Sequence, residues 1–396
     1  MTDTHAHDTR KLTVAAIGLA LAVAVPFWTA AASPSSSSPR CRDGFSRGSQ
    51  IRSNDQEGHS STFVSIDDDK CFRAEMRGDV SITDDDADLR LGPDSYALLM
   101  QSAGGDETQL ELRTDSQGRE TRQFSVNGQS RPASEGAAWL RATLPGLVRE
   151  SGFAAEQRVE RFWRQGGAPA VLREVDQISH ESIKRIYLNY LLDRGQLSRD
   201  DLRQVTQRVA RFESDAEKRI VLTRVIDQRQ AGIGDVVDAT RSISSDAEKR
   251  IVLSRVLDRA SLNASDAAAL LNETHDMKSD AERRIVLSAA SSRVPLDDSD
   301  VRAAFFGSVD GMQSSAEQRI VLSSVLERAR LDPATLVALL HSAKRIDSDA
   351  EKAIVLTDAA SHADFHSEGV RAAFDDAAKS ISSRAEYDRV MRAAAR

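Results

Sequence analysis

The chain has 396 residues, of which 29% are charged and 5% aromatic, and its formal net charge is −8. Positive and negative side chains are interspersed, so the concentrated basic surface that binds nucleic-acid phosphates is not expected. The low aromatic content also argues against surfaces that stack on nucleotide bases.

An uncharged apolar run of 21 residues extends from Leu12 to Ala32, after a short segment of residues 1–11 that ends in Arg10-Lys11. The run is long enough to span a bilayer with its basic flank in the cytoplasm. A cleaved signal peptide is the alternative, because Pro26 divides the run and Ala30–Ala32 offers a cleavage site. Either interpretation exports the rest of the chain. The protein is then anchored in the inner membrane facing the periplasm, or it is soluble in the periplasm if residues 1–32 are cleaved.

Cys41 and Cys71 are the two cysteines of the sequence. In an exported protein two cysteines are most simply paired, so we predict a disulfide between them. Closing this loop stabilises the fold by about 3 to 4 kcal/mol if the effect is mainly on chain entropy.

Residues 33–60 begin with the sequence SPSSSSPR and are predicted to be a Ser/Pro-rich linker. From residue 61 to 132 apolar and polar side chains alternate with a period of two, which predicts a small antiparallel β domain of about seven short strands. Asp67–Asp69 and Asp84–Asp86 with Asp88 lie between these strands. They are interpreted as solvated turns, because the spacing of a calcium-binding loop is absent.

A helical pattern begins at residue 133, and residues 133–177 are predicted to form a helical adaptor. This segment contains the large aromatic residues Trp139, Phe162 and Trp163. Burying them there would fix the β domain relative to the helices that follow.

The motif Ser-x-Ala-Glu occurs six times between Ser214 and Glu386, and five copies continue into Ile-Val-Leu. Successive copies are 31 to 35 residues apart, which is the length of a two-helix solenoid unit. An earlier divergent copy aligns Ile186 with Ile220. Residues 178–396 are therefore predicted to form about seven helical hairpins. The predicted fold class is α+β, mainly α: a small antiparallel β domain followed by a right-handed α-solenoid of the HEAT/TPR-like kind.

Each motif predicts a helix start with a capping box. The serine hydroxyl accepts a hydrogen bond from the glutamate amide, and the glutamate carboxylate accepts one from the serine amide. The isoleucines of the motif, such as Ile251 and Ile285, are expected to be buried. The predicted capping residues are Ser214, Glu217, Ser245, Glu248, Ser279, Glu282, Ser314, Glu317, Ser348 and Glu351.

Five arginines occupy one position in successive units: Arg185, Arg219, Arg250, Arg284 and Arg319. Asp215, Asp246, Asp280 and Asp349 stand four residues before this position, and the simpler interpretation is an ion pair between aspartate and arginine within each helix. The alternative is a basic column along the solenoid that binds an acidic or carboxylate-bearing partner. The pairing within each helix is favoured, because each arginine is accompanied by its own aspartate.

Motifs of known catalytic chemistry are absent from the sequence. His180-Glu181 begins like a zinc-peptidase helix, but the second histidine is replaced by Lys184. We therefore expect no catalytic residues, no bound metal and no cofactor.

The SDAEKRIVL repeats, together with GDVSITDDDADLRL and GGAPAVLREVDQISHESIKRIYLNYLL, resemble a poorly characterised bacterial envelope family. They are also similar to the extracytoplasmic region of some membrane proteins related to the zinc-peptidase β-lactam sensors. The resemblance covers roughly residues 60–396 and implies a module for sensing or interaction. The first hypothesis is a non-enzymatic scaffold of the cell envelope that binds a protein or peptide through its solenoid. The alternative is an extracytoplasmic sensor that signals to a membrane partner.

Overall fold

The computed structural model describes Cys41 and residues 48–53, 60–67, 70–259, 261–328, 331–362 and 367–395. Within these ranges the protein is α+β and mainly α-helical, with a small antiparallel β domain followed by an array of helices. The apolar run from Leu12 to Ala32 lies outside the described residues. None of the described helices is long and apolar enough to cross a membrane.

The strands of the described residues are Gly48–Ser53 (β1), Ser60–Asp67 (β2), Lys70–Arg77 (β3), Val80–Ile82 (β4), Leu89–Leu91 (β5), Tyr96–Ala103 (β6), Asp106–Thr114 (β7), Glu120–Val126 (β8) and Gln129–Arg131 (β9). Seven of them form one antiparallel sheet in the order β1-β2-β3-β6-β7-β8-β9, and β4 pairs with β5 in a separate ribbon. β1 lies in the segment expected to be a linker. It pairs with β2 along its whole length, so the sheet begins earlier than residue 61.

The predicted disulfide is confirmed. Cys41 and Cys71 are bonded, with their Cα atoms 6.0 Å apart. Both are buried with Val64 and Ile66 in a small cluster of their own. The bridge therefore ties the chain that precedes the sheet to strand β3.

Helix α1 (Ala133–Ser151) covers one face of the sheet. Leu140, Leu144 and Leu147 recur at helical spacing and are buried in the core that this helix shares with the strands. Gly136 allows the helix to approach closely, because a Cβ atom at this position would lie 2.9 Å from the Cβ atom of Phe124. The helix ends at Gly152, which has a left-handed φ of 69°.

The remaining helices are α2 (Ala155–Val175), α3 (Glu181–Asp193), α4 (Arg199–Val209), α5 (Asp215–Ile226), α6 (Ile233–Thr240), α7 (Asp246–Arg259), α8 (Ala264–His275), α9 (Asp280–Ala290), α10 (Ser299–Asp310), α11 (Ser315–Leu326), α12 (Pro333–Lys344), α13 (Asp349–Ala360), α14 (Glu368–Lys379) and α15 (Arg384–Ala394). From α3 onward the described part of the chain forms six consecutive helix pairs, and α15 ends the array. We call α3, α5, α7, α9, α11, α13 and α15 the A row, and the even-numbered helices from α4 to α14 the B row. Successive helices of each row pack against one another.

The core of the array lies between the two rows. Val286 and Leu287 of α9 are fully buried, as is the equivalent pair in each preceding A helix of the repeat region. Ile251 and Ile285, which were expected to be buried, are only half-buried. This expectation is wrong because the isoleucine stands one residue before the buried pair and so turns toward the exposed side of the A row.

Candidate functional site

The start of each A helix is bound to the start of the next. The Oδ2 atom of Asp246 accepts hydrogen bonds from the backbone amides of Lys278 and Ser279, at 2.8 and 2.7 Å. The same contact recurs with distances of 2.7 to 3.0 Å at Asp215, Asp280 and Asp349. Glu181 and Ser315 accept from the Ser214 and Ser348 amides in the same way. We call this series of contacts the amide ladder. It satisfies backbone donors that a helix leaves unpaired at its first turn.

The amide ladder changes the predicted capping boxes. The Oγ atom of Ser214 accepts from the Glu217 amide at 3.3 Å, as expected, and the other serines of the set do so at about 3.4 Å. The glutamate carboxylate, however, does not return to the serine amide, because a side chain of the preceding unit already accepts that hydrogen bond. Among the described helices only α4 has the complete box, between Ser198 and Asp201.

The five predicted arginines all lie on the A row, and each forms an ion pair with the capping glutamate of the next unit. The pairs are Arg185–Glu217, Arg219–Glu248, Arg250–Glu282, Arg284–Glu317 and Arg319–Glu351. We call these pairs the arginine ladder. The prediction that each arginine pairs with an aspartate of its own helix is therefore wrong. Asp215, for example, contacts Lys218, with Oδ1 and Nζ 3.1 Å apart. The ladder ends at α13, where Ala353 replaces the arginine.

The arginine side chains remain accessible. Their exposed fraction is 26 to 30%, and the ion pair is made through Nε. A guanidinium has five N–H donors in one plane. An ion pair through Nε leaves the N–H groups of the terminal nitrogens for a second acceptor. Whether these arginines bind a partner stays a prediction.

A cleft of about 430 Å³ lies between α5 and α7 on the exposed side of the A row. Half-buried Ile251 and the small hydroxyl residues Thr223 and Ser254 form its floor. Four arginines and two aspartates complete the lining: Arg219, Arg224, Arg250, Arg255, Asp227 and Asp258. We call it the A-row cleft. All four arginines are ion-paired: Arg219 and Arg250 belong to the arginine ladder, Arg224 pairs with Asp193, and Arg255 pairs with Asp227. The cleft therefore offers guanidinium N–H donors and no unpaired arginine charge.

A second polar column lies inside the array and was missed by the sequence analysis. Lys218, Lys249, Arg283, Gln318 and Lys352 precede the arginine position and are nearly fully buried. Lys352 Nζ donates to the Ser380 carbonyl and hydroxyl at 3.3 and 3.0 Å, just after the end of α14. Gln318 donates to the Met312 carbonyl at 3.0 Å. Lys218, Arg283, Gln318 and Lys352 donate to carbonyls near the ends of B helices, so their role is structural. Lys249 instead lies 3.8 Å from Oε2 of Glu273.

The β domain is joined to the helices by a buried network of charges around Arg158, whose side chain is 1% exposed. Its guanidinium donates to Asp86 Oδ2 at 2.8 Å and to Glu174 Oε1 at 2.9 Å, and also to the Tyr187 hydroxyl. Arg161 donates to both Asp86 oxygens, at 2.8 and 2.7 Å. The network spans the β4–β5 turn, α2 and α3. We call it the junction network.

The junction network shifts the pKa values of its members. Burial opposes ionisation of Asp86, but the hydrogen bonds from Arg161 and Arg158 outweigh it and lower the pKa of this carboxyl. Burial likewise opposes ionisation of Glu174, and the hydrogen bond from Arg149 with the charge of Arg158 lowers its pKa. Burial raises the pKa of Tyr187, so the phenol stays neutral. Asp86 is therefore not a solvated turn residue, which corrects the expectation for this acidic segment.

The adaptor aromatics lie near this junction or on the sheet. Phe162 packs against Arg158 and Arg161, with the guanidinium carbons 5.4 and 4.9 Å from the ring centroid. Trp163 lies 5.1 Å from the guanidinium carbon of Arg194. Trp139 packs on Phe124 of the sheet instead, with ring centroids 5.9 Å apart. Two of the three therefore contact cations at the junction.

No arrangement of metal ligands supports a metal centre in the described part of the chain. His180 lies at the exposed N-cap of α3, and the carboxylate of Glu181 beside it already accepts a hydrogen bond from the Ser214 amide. Comparison with known protein families, curated proteins and solved structures finds no match.

Proposed function

We propose that this chain is a non-enzymatic interaction protein of the cell envelope that binds a protein or peptide partner along the exposed side of its A row. The observation that carries the proposal is the repetition of one surface pattern on consecutive A helices. Helices α5, α7, α9 and α11 each present a half-buried isoleucine, a small hydroxyl residue and an accessible arginine at the same positions, as in Ile251, Ser254 and Arg250. A surface that repeats in this way suits an extended partner that crosses several units.

The guanidinium groups of the A-row cleft support an acidic or carboxylate-bearing partner, because a guanidinium can donate to a second carboxylate while it keeps its ion pair. Its guanidiniums are held in place by the arginine ladder, so little side-chain entropy is lost when a partner carboxylate binds them. Ile354, on the exposed side of α13, is the most exposed large hydrophobic residue among those described. The row of motif isoleucines on the exposed side of the A row therefore extends to α13.

The disulfide supports the envelope location. Disulfides form and persist in oxidising compartments, and Cys41 and Cys71 are bonded and buried. This agrees with export through the apolar run.

Partner capture from solubilised envelope membranes tests the proposal. The full chain is compared with the double variant Arg219→Gln/Arg250→Gln and with the control Arg203→Gln/Arg345→Gln, which removes two exposed, ion-paired arginines at the B-row helices α4 and α12. We expect the first variant to lose its partner and the control to keep it, with capture falling as salt rises. Unchanged capture by the first variant would refute the A row as the binding surface.

An extracytoplasmic sensor that signals to a membrane partner is the second candidate. The junction network supports it, because Asp86 and Arg158 fix the β domain to the first helices of the array. A ligand bound by one domain would then change the position of the other. Loss of a membrane partner in Asp86→Ala, with the A-row variant unaffected, would favour the sensor.

A further inference from the structure

A large cavity lies where the β domain, the adaptor and the first repeat helix meet. It has a volume of about 790 Å³. Its walls come from β4, the α1–α2 connection, α2 and the end of α3, and we call it the junction cleft. This volume is within the roughly 300 to 1,000 Å³ of small-molecule sites, which occur preferentially between domains.

The walls of the junction cleft are held in place. Gln157 of α2 donates from Nε2 to the Ile82 carbonyl of β4 at 2.9 Å, and Arg158 beside it belongs to the junction network. The chain between α1 and α2 turns through two left-handed residues, Gly152 and Ala154, on either side of Phe153. Left-handed backbone is unfavourable for alanine, so the surrounding structure must enforce it. The cleft is thus largely formed before a ligand arrives.

One side of the junction cleft is apolar and partly aromatic. Phe153 and Tyr190 line it together with Val80 and Val159. Aromatic faces attract organic cations, and the attraction grows when the cation leaves water. The apolar wall therefore accepts the body of a ligand and also favours a positive charge on it.

The charged side of the cleft has an excess of carboxylates. Three acidic residues and one basic residue line it: Glu156, Glu160, Asp193 and Arg194. Glu160 is paired with Arg194, and Asp193 with Arg224. Glu156 forms no ion pair within the described residues, and so its charge is free to bind a ligand cation.

We propose that the junction cleft binds a small organic ammonium ion that has an aromatic or aliphatic body. The ammonium group contacts Glu156, and the body packs against Phe153 and Tyr190. This site is separate from the A-row cleft and does not depend on the function proposed above.

Calorimetric titration of the full chain tests the site with three probes of similar shape: phenethylammonium, 2-phenylethanol and 3-phenylpropionate. We expect saturable binding of the ammonium ion alone. Glu156→Gln should raise its dissociation constant about tenfold, which corresponds to about 1.4 kcal/mol. The matched control is Glu135→Gln, which removes a first-turn glutamate of α1 outside the cleft. It should leave the dissociation constant unchanged.

Three results would overturn the proposal. They are the absence of saturable binding by phenethylammonium, equal binding of the alcohol or the carboxylate, and equal effects of the two glutamate variants. A fourth probe, a blocked peptide with one lysine between alanines, identifies the source of the cation. Binding of this peptide without binding of the free amine would assign the cleft to a polypeptide side chain and overturn the small-molecule assignment.

Discussion

Arg219 of α5 forms an ion pair with Glu248 of α7 and not with Asp215 of its own helix. Both partners are half-buried, with 29% and 26% of their side chains exposed. The contact therefore joins two units that lie about thirty residues apart in the sequence, and five such pairs occur along the A row.

The charge reversal Arg219→Glu should lower the free energy of unfolding by about 1 kcal/mol or more, because it opposes two carboxylates in a half-buried contact. The exchange Arg219→Glu/Glu248→Arg should recover at least half of the loss. Urea unfolding of the wild type, the two single variants Arg219→Glu and Glu248→Arg, and the double variant measures the coupling energy of the pair. Additive effects of the two single changes would show that the pair contributes no coupling energy.

The amide ladder has one weak position. In α11 the aspartate is replaced by Ser315, whose Oγ accepts from the Ser348 amide at 3.3 Å. Ser315→Asp should stabilise this boundary by about 0.5 to 1 kcal/mol, because a carboxylate at a helix N-terminus accepts amide hydrogen bonds more strongly. Amide exchange at Ser348 should slow, while exchange at Ser383, bonded to Asp349, should not change. Faster exchange at Ser348 would contradict this role of the ladder.

The junction network should make stability depend on pH in the acid range. The pKa values of Asp86 and Glu174 are lowered in the folded protein. As pH falls, the unfolded chain therefore binds protons first, near the ordinary values of 3.8 and 4.5, and the folded state loses stability. The free energy of unfolding that these two carboxylates contribute is fully present above about pH 5 and is lost progressively below about pH 4.

Asp86→Ala tests this dependence. At neutral pH it should cost about 3 to 5 kcal/mol, because it leaves Arg158 buried without its main partner. It should also flatten the acid part of the stability curve. Asp84→Ala, an exposed neighbour in the same turn, is the control and should change neither quantity. Thermal unfolding of both proteins between pH 3 and 7 measures this effect. If the wild type and Asp86→Ala lose stability equally as pH falls, Asp86 is not the source of the pH dependence.

The disulfide should stabilise the β domain by restricting its unfolded state. Cys41 and Cys71 are 30 residues apart, so the double change to serine should cost about 3 to 4 kcal/mol. The native protein should take up no alkylating reagent under denaturing conditions until it is reduced. Two modified thiols without reduction would show that the bridge does not form.

Local patterns were sufficient to predict the fold of the repeats. Ser214 and its equivalents mark the helix starts, and Val221 and Leu222 mark the buried side, because both signals depend on neighbours within one helix. The period of the motif then predicts stacking. The partners across unit boundaries were not predictable in this way, because Asp215 and Arg219 also fit a pair within their own helix.

The buried charges escaped prediction for a related reason. A lysine such as Lys218, or an aspartate in an acidic turn such as Asp86, is normally solvated. Its burial depends on acceptors or donors that are distant in sequence, and the partner of Asp86 is Arg158, 72 residues later. The junction cleft was missed because its lining comes from three separate parts of the chain.

Site-specific photo-crosslinking in cells tests the central claim, that partners bind along the A row. A photoreactive residue is placed at Ile251 or Ile285, on the exposed side of the A row. The controls carry it at Asn272 and alanine 303, exposed positions on the B helices α8 and α10. The account predicts a discrete crosslinked partner at both A-row positions and none at the controls. Crosslinks at the B-row positions, with none at Ile251 and Ile285, would contradict it.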